Sequence, residues 1–207
     1  MAPKRHTAPL PSPSPARLQD DVLLDAARTC VLEVGVRRTT LSGVARAAGV
    51  SRMTLYRRFP DVRSLLAALM TREFGVLLTR AGATTPAARA REHLVGAAVD
   101  SVCALSVDPL MRSVLDRDAE LVLPYIVERV GSVQRIAEQF IREQLIAGHQ
   151  DGSVRTGDPA VQARAIYLMV QSFVFSMRPA TRGVDRSALI GELTQILDGA
   201  LRPREKR

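Results

Sequence analysis

The chain has 207 residues, a formal net charge of +8 and a mean hydropathy of +0.03. Hydrophobic residues make up 46% of it, which is too many for an intrinsically disordered chain, so the sequence predicts a folded protein. Only 4% of the residues are aromatic and Trp is absent, which disfavours a β-rich fold. The two cysteines, Cys30 and Cys103, exclude a disulfide framework. A reducing cytoplasm is therefore the expected location.

The beginning of the chain has a composition of its own. Residues 1–16 contain Lys4, Arg5 and five prolines but no apolar run, so we expect a disordered Pro-rich arm rather than a signal peptide. Further along, the longest apolar stretches have six residues, as in Leu65–Met70, whereas a bilayer span needs about 20. No membrane partner is expected.

Residues 17–62 are predicted to form three helices. Apolar residues at spacings of four, three and four predict a first helix over 16–34, and Gly35 stands where a C-cap belongs. Thr40 is placed to cap a helix over 41–48, and Ser51 to cap another over 52–59. Gly49 permits the tight turn between them. The pattern is a helix, a short turn and a second helix.

Residues 63–207 are predicted to be helical as well, which gives an all-α chain of about nine helices. Pro60 and Asp61 restart the chain into a long helix that ends near Gly82. Proline and glycine positions then delimit the remaining helices, at about 86–107, 108–118, 124–147, 158–177 and 186–201. Gly148 is expected to end the helix over 124–147, and a loop is expected over residues 149–159.

The last two predicted helices have apolar faces that suit self-association. The helix over 161–177 is apolar almost all round, which is typical of a helix between two packed layers. Together with the last helix it can form a four-helix bundle across a two-fold axis. The candidate dimer residues are Phe175, Leu189, Leu193, Ile196, Leu197 and Ala200.

The net charge is concentrated near the N-terminus. Residues 1–70 have 11 Lys and Arg against 5 Asp and Glu, whereas the rest of the chain has 18 against 16. A basic unit joined to a near-neutral one suggests a polyanion-binding module. In the helix over 52–59, Leu55 and Phe59 mark the buried side, and Arg57 lies opposite them, a placement that suits base contacts in the DNA major groove.

The residues of this region carry a family resemblance. Three features fall at the spacing of the helix-turn-helix of the tetracycline-repressor (TetR) family: the motif Ala-Gly-Val-Ser at 48–51, preceded by Ala47, the motif Thr-Leu-Tyr at 54–56, and Phe59. The stretch over 40–59, followed by Leu65 and Leu66, closely resembles that motif, and the match extends over about residues 18–70. The resemblance implies a DNA-binding domain of three helices over 17–62. It also implies an effector-binding and dimerisation domain over 63–207.

The resemblance also implies roles for individual residues on double-stranded DNA. Thr40 and Ser42 are expected to meet phosphates from the second helix, and Thr54 and Tyr56 from the recognition helix. Arg52, Met53 and Arg57 are expected to face bases, with Arg58 near the DNA backbone. Ser51, the predicted cap of the recognition helix, is also a candidate DNA-binding residue. Family members usually have a phosphate-binding lysine where this chain has Val62, and Arg63 is the candidate replacement. Two-fold symmetry predicts a near-palindromic operator.

The effector pocket is expected among Met and aromatic side chains of the C-terminal helices, which adapt to apolar ligands. The candidates are Phe74, Cys103, Met111, Tyr125, Phe140, Met169 and Phe173. The resulting hypothesis is a homodimeric repressor that a small, hydrophobic effector releases from DNA. An activator, or a DNA-binding protein without an effector, remains the alternative. No spacing for a catalytic triad, a metal site or a cofactor loop is found, so no enzyme, metal or cofactor is expected.

Overall fold

A computed structural model of the chain describes residues 15–84, 89–121, 123 and 130–203. These residues form nine α-helices and one short 3-10 helix, and the part so described contains no strand, which confirms the all-α class. The 3-10 helix is Ala119–Leu121. The helices are α1 (Pro15–Val34), α2 (Leu41–Ala47), α3 (Arg52–Arg58), α4 (Val62–Thr84), α5 (Ala90–Val107), α6 (Pro109–Arg117), α7 (Ser132–Gln150), α8 (Pro159–Ala180) and α9 (Arg186–Leu201). Residues 1–14 of the predicted Pro-rich arm and the candidate pocket residue Tyr125 lie outside the described residues.

The short helices α2 and α3 begin at the predicted caps. Thr40 Oγ1 accepts a hydrogen bond from the Gly43 amide at 3.1 Å, and Ser51 Oγ accepts one from the Thr54 amide at 3.1 Å. Each hydroxyl thereby satisfies a backbone donor that the first helical turn leaves unpaired. Between the two helices Gly49 has a φ of +66°, a conformation that favours glycine.

Two of the predicted helix boundaries are wrong. The helix expected over 124–147 is not continuous, because residues 130 and 131 are not helical and α7 begins at Ser132. Gly148 does not stop α7, which runs on to Gln150. Gly148 is instead a packing residue, since a Cβ atom at that position would overlap the side chain of Val154. Its carbonyl also accepts a hydrogen bond from the Val154 amide, at 2.9 Å.

Helix α5 is the centre of the C-terminal helices. It packs against α4, α6, α7, α8 and α9, and Leu94 and Val102 on it are fully buried. Helix α4 packs on α5 and α7 but also on α1, so it belongs to both ends of the molecule. The predicted domain boundary at residue 62 thus falls at the start of a helix that the two units share.

Hydropathy gives no single membrane span in the part of the chain that the structure describes. Helices α5 and α6 reach the necessary length and apolarity only when taken together, and the chain bends by 60° between them.

Residues at the end of α6 are hydrogen-bonded to the backbone at the end of α1. We call this contact, formed by Arg117, Asp118 and residues 32–37, the α6–α1 junction. The Asp118 carboxylate is 2% exposed, and it accepts hydrogen bonds from the backbone amides of Val36 and Arg37, at 2.8 and 3.4 Å. The Arg117 guanidinium donates to the carbonyls of Leu32 and Glu33, which the last turn of α1 leaves free. The C-terminal unit therefore supplies the cap of the first helix.

We predict that Asp118→Ala lowers the free energy of unfolding by about 1–3 kcal/mol, because it leaves buried backbone amides without an acceptor. Chemical denaturation followed by circular dichroism measures the change. The control is Glu120→Ala, which removes an exposed carboxylate that pairs with Arg37 at 2.6 Å and is expected to cost less than about 1 kcal/mol. Equal losses for the two variants would contradict this role of Asp118.

Candidate nucleic-acid interface

Helix α3 has one buried and one exposed side, as the sequence predicts. Leu55 and Phe59 are buried in the core of the N-terminal helices. The exposed side chains are Arg52, Met53, Tyr56, Arg57 and Arg58, and Met53 is 77% exposed. Such exposure of a large apolar side chain on a basic helix face is informative, because it suits contact with a partner.

The hydroxyl-bearing residues assigned to this surface differ in exposure and in the hydrogen bonds that they already make. Thr40 and Ser51 are exposed, and both already use their side-chain oxygens to accept from a backbone amide. The Ser51 and Thr54 hydroxyls lie 2.9 Å apart and share a hydrogen bond. Thr54 and Ser42 are half-buried. The Thr40 hydroxyl keeps its own proton for donation to an outside acceptor, and the hydrogen-bonded pair of Ser51 and Thr54 keeps one of its two hydroxyl protons for this purpose.

The arginines of the same surface fall into two groups. Within the described part of the chain, Arg52 and Arg57 have no ion-pair partner, and Arg63 lies near the Asp61 carboxylate, whose pKa its charge helps to lower. Arg58 differs, because its Nε donates to Asp20 Oδ1 of α1 at 2.6 Å and its second nitrogen pairs with Asp20 Oδ2. This hydrogen bonding raises the pKa of the Arg58 guanidinium.

The start of α4 completes the surface beside α3. The Asp61 carboxylate accepts a hydrogen bond from the Ser64 amide at 2.7 Å, and the hydrogen bonds from Ser64 lower the pKa of Asp61. Val62 is half-buried against the core, whereas Arg63 is exposed. Arg63 is therefore the cation that this turn presents to solvent.

Two short helices joined by a glycine turn, with the second exposing a basic face, define a helix-turn-helix DNA-binding unit. Here it is fused to an all-helical C-terminal unit. Comparison with known proteins agrees with this class.

Residues 23–69 match the family model of bacterial regulatory proteins of the tetR family. An HTH-type transcriptional regulator of Mycobacterium bovis is 37% identical over 179 residues, which cover 86% of this chain and 92% of that protein.

Solved structures share the fold at low sequence identity. A fatty acid degradation regulator, FadR from Bacillus halodurans, superimposes with a TM-score of 0.66 at 22% identity, over 94% of this chain and 100% of that one. FadR from Bacillus subtilis in complex with stearoyl-CoA superimposes with a TM-score of 0.58 at 19% identity, over 88% and 99%. The chain belongs to the TetR family of bacterial regulatory proteins. Its relatives are transcriptional regulators and not enzymes.

The candidate pocket residues are spread through the C-terminal core. Phe74 and Met111 are buried, and Cys103, Phe140, Met169 and Phe173 are partly buried. Two surface pockets, one between α1 and α3 and one between α5 and α9, are lined by none of these residues. These residues therefore lie among the C-terminal helices, and neither of the two pockets joins them.

The candidate dimer residues divide into two groups. Leu193 and Leu197 are 0% and 1% exposed, so they belong to the core of their own protomer, where α9 packs on α5, and their assignment to an interface is corrected. Phe175 and Leu189 are partly buried. Ile196 and Ala200 are exposed.

One polar pair among the C-terminal helices is not predicted by the sequence. Tyr167 of α8 is hydrogen-bonded to Gln134 of α7, and burial raises the pKa of Tyr167 to about 12. The phenol is thus protonated at neutral pH. The apolar periodicity of α8 concealed this pair, because a Tyr in an apolar stripe is ordinary core by pattern alone. No group of three His, Cys, Asp or Glu able to hold a metal ion occurs among the residues that the structure describes.

Proposed function

We propose that the chain is a homodimeric transcriptional repressor that reads a near-palindromic DNA site and leaves it when a small apolar molecule binds the C-terminal helices. The observation that carries the proposal is the exposed face of α3, where Arg52, Met53 and Arg57 project from a helix anchored by Leu55. Such a regulator acts on DNA in the cytoplasm.

The roles follow from the side-chain chemistry. Arg57, without an acidic partner among the described residues, has a free planar guanidinium that fits the two acceptors of guanine in the major groove. Tyr56 can donate its phenolic hydrogen to a phosphate oxygen, and Thr40, Ser42 and Thr54 can do the same with hydroxyl groups. Base contacts select a sequence, and phosphate contacts fix the position of the protein on the duplex.

We expect Arg57→Ala to weaken binding to the preferred site by about 1–3 kcal/mol and to relax the base preference, whereas Tyr56→Ala weakens binding to every sequence alike. The preferred site is first obtained by selection from a random duplex library with the purified full-length protein. Fluorescence anisotropy with the selected duplex and a scrambled duplex then measures both variants. Equal losses on the two duplexes for Arg57→Ala would rule out base reading by this residue.

The homodimer is supported by apolar side chains on α8 and α9 that are exposed or only partly buried in the protomer. Val161 and Leu168 are 66% and 53% exposed, and together with Phe175 they recur every seven residues along one face of α8. Leu189 and Ile196 have the same spacing on α9, and Ile196 is 48% exposed. Two helices with such stripes bury them by pairing with a second copy.

We expect Ile196→Glu to convert the dimer into a monomer and to abolish tight binding to the palindromic duplex, because a buried unpaired carboxylate opposes association. Analytical ultracentrifugation measures the mass. Ile146→Glu, which changes an exposed isoleucine on α7, is the matched control and should remain dimeric. A dimer that persists in Ile196→Glu would remove this surface from the interface.

Release by an effector is supported by the α6–α1 junction. Met111, a candidate pocket residue, and Asp118, which caps the N-terminal unit, stand at opposite ends of the same short helix. A ligand that favours another position of α6 therefore also favours another position of α1. Because a structure of the same fold holds stearoyl-CoA, an acyl chain is the first effector to test.

We expect stearoyl-CoA to release the dimer from its selected duplex, with binding to the protein measured in parallel by calorimetry. Free coenzyme A is the control, because it shares the polar head and lacks the apolar chain. A reporter gene behind the selected site should be repressed by the protein and should recover when the protein is absent. A ligand that binds without changing DNA affinity would refute effector release, and lower reporter output in the absence of the protein would refute repression.

A further inference from the structure

Helix α1 begins against the recognition helix, and the contact is ionic. Two guanidinium nitrogens of Arg58 face the two carboxylate oxygens of Asp20, with Nε to Oδ1 at 2.6 Å. This is the bidentate geometry in which arginine binds either a carboxylate or a phosphate. Asp20 thus occupies the same guanidinium fork that a DNA phosphate would use.

We propose that Asp20 is a specificity-determining residue, which keeps Arg58 from binding DNA phosphates and thereby limits binding to random sequence. The inference rests on the proposed DNA-binding function and goes beyond it, because Asp20 itself contacts no DNA in this account. It also revises the expected role of Arg58. The resemblance predicts that Arg58 lies near the DNA backbone, whereas in this proposal Asp20 keeps its guanidinium from binding DNA phosphates.

The accessibility of the pair supports this role. The Arg58 side chain is 57% exposed and the Asp20 side chain only 22%, so the guanidinium faces solvent while the carboxylate is the better anchored partner. Arg58 directly follows Arg57, the proposed base contact, and an open pocket between α1 and α3 lies beside both. If Asp20 did not hold it, Arg58 would be a mobile cation at the edge of the DNA-facing surface.

The neighbouring acidic residues of α1 have a different partner, which makes Asp20 distinct. Asp21 and Asp25 pair with Arg72 of α4, at 3.4 and 2.7 Å. These pairs join α1 to α4. Among the acidic side chains in the described part of α1, Asp20 is therefore the one directed at the recognition helix.

If Asp20 keeps Arg58 from DNA phosphates, the affinity for random DNA and the affinity for the selected site change by different amounts. A phosphate contact carries no sequence information, and on random DNA the protein is free to adopt the position with the most phosphate contacts. On the selected site, the base contacts of Arg52 and Arg57 fix the position, so Arg58 gains a phosphate only where that position allows one. Freeing Arg58 should thus favour random DNA.

The test is Asp20→Asn, which keeps the shape of the side chain and removes its charge. We expect affinity for a scrambled duplex to rise about threefold to tenfold, and the slope of log K against log salt to steepen by about 0.9 per protomer. The ratio of affinities for the selected and scrambled duplexes should fall at least about threefold. An unchanged ratio would overturn the proposal, as would lower affinity for both duplexes.

Two further variants separate Arg58 from the loss of a negative charge. Asp21→Asn removes the same charge one residue away and should change affinity for the scrambled duplex less than about twofold. In the double variant Asp20→Asn with Arg58→Ala, this affinity should return to the wild-type value. If the rise persists without Arg58, relief of charge repulsion explains it and the proposal is wrong.

Arg58→Ala alone provides a measurement that does not depend on the folding of Asp20→Asn. Since Asp20 already neutralises Arg58, removal of the Arg58 guanidinium should change the affinity for the scrambled duplex less than about twofold. A tenfold decrease in this affinity would overturn the proposal. Failure of the proposed function gives another result, namely wild-type protein without sequence preference and a silent Tyr56→Ala. Thermal melting by circular dichroism verifies that each variant is folded.

Discussion

The buried carboxylate of Asp118 joins the two units of this molecule. A carboxylate removed from water needs hydrogen-bond donors, and here the donors are backbone amides just beyond the end of α1. Gly35 meets two demands at this point, since its φ is +84° and a Cβ atom would lie 3.1 Å from Asp118 Oδ2. The position of the loop that leads into the helix-turn-helix is therefore fixed by a side chain from the C-terminal unit.

Helix α1 extends this constraint to the DNA-facing surface. It has 20 residues and spans about 30 Å, with the α6–α1 junction at its C-terminal end and Asp20, bound to Arg58 of α3, near its N-terminal end. Between them Arg28 pairs with Glu73 and Arg72 with Asp25, which hold α1 against α4. A single helix thus connects the end of α6 to α3.

The parts of the site that sequence predicts are those with local causes. The caps at Thr40 and Ser51, the turn at Gly49 and the buried side of α3 depend on residues within four positions of one another, and the structure confirms each. The pairing of Asp20 with Arg58 spans 38 residues, and that of Asp118 with Val36 spans 82. No periodicity or spacing encodes such pairs, because tertiary packing alone decides which charges meet.

The same limit explains the correction at α9. An apolar stripe indicates that a helix face is buried, but it does not indicate whether the surface that covers it belongs to the same chain or to another. On α9, Leu193 and Leu197 are buried where α9 packs on α5, whereas Ile196 is exposed. Because α8 also exposes Val161 and Leu168, the apolar surface available to a second copy is defined by residues left over after the protomer core is complete. In the proposed dimer, association and folding of the protomer therefore use different residues of the same two helices, so an interface variant such as a charge at position 196 can separate them.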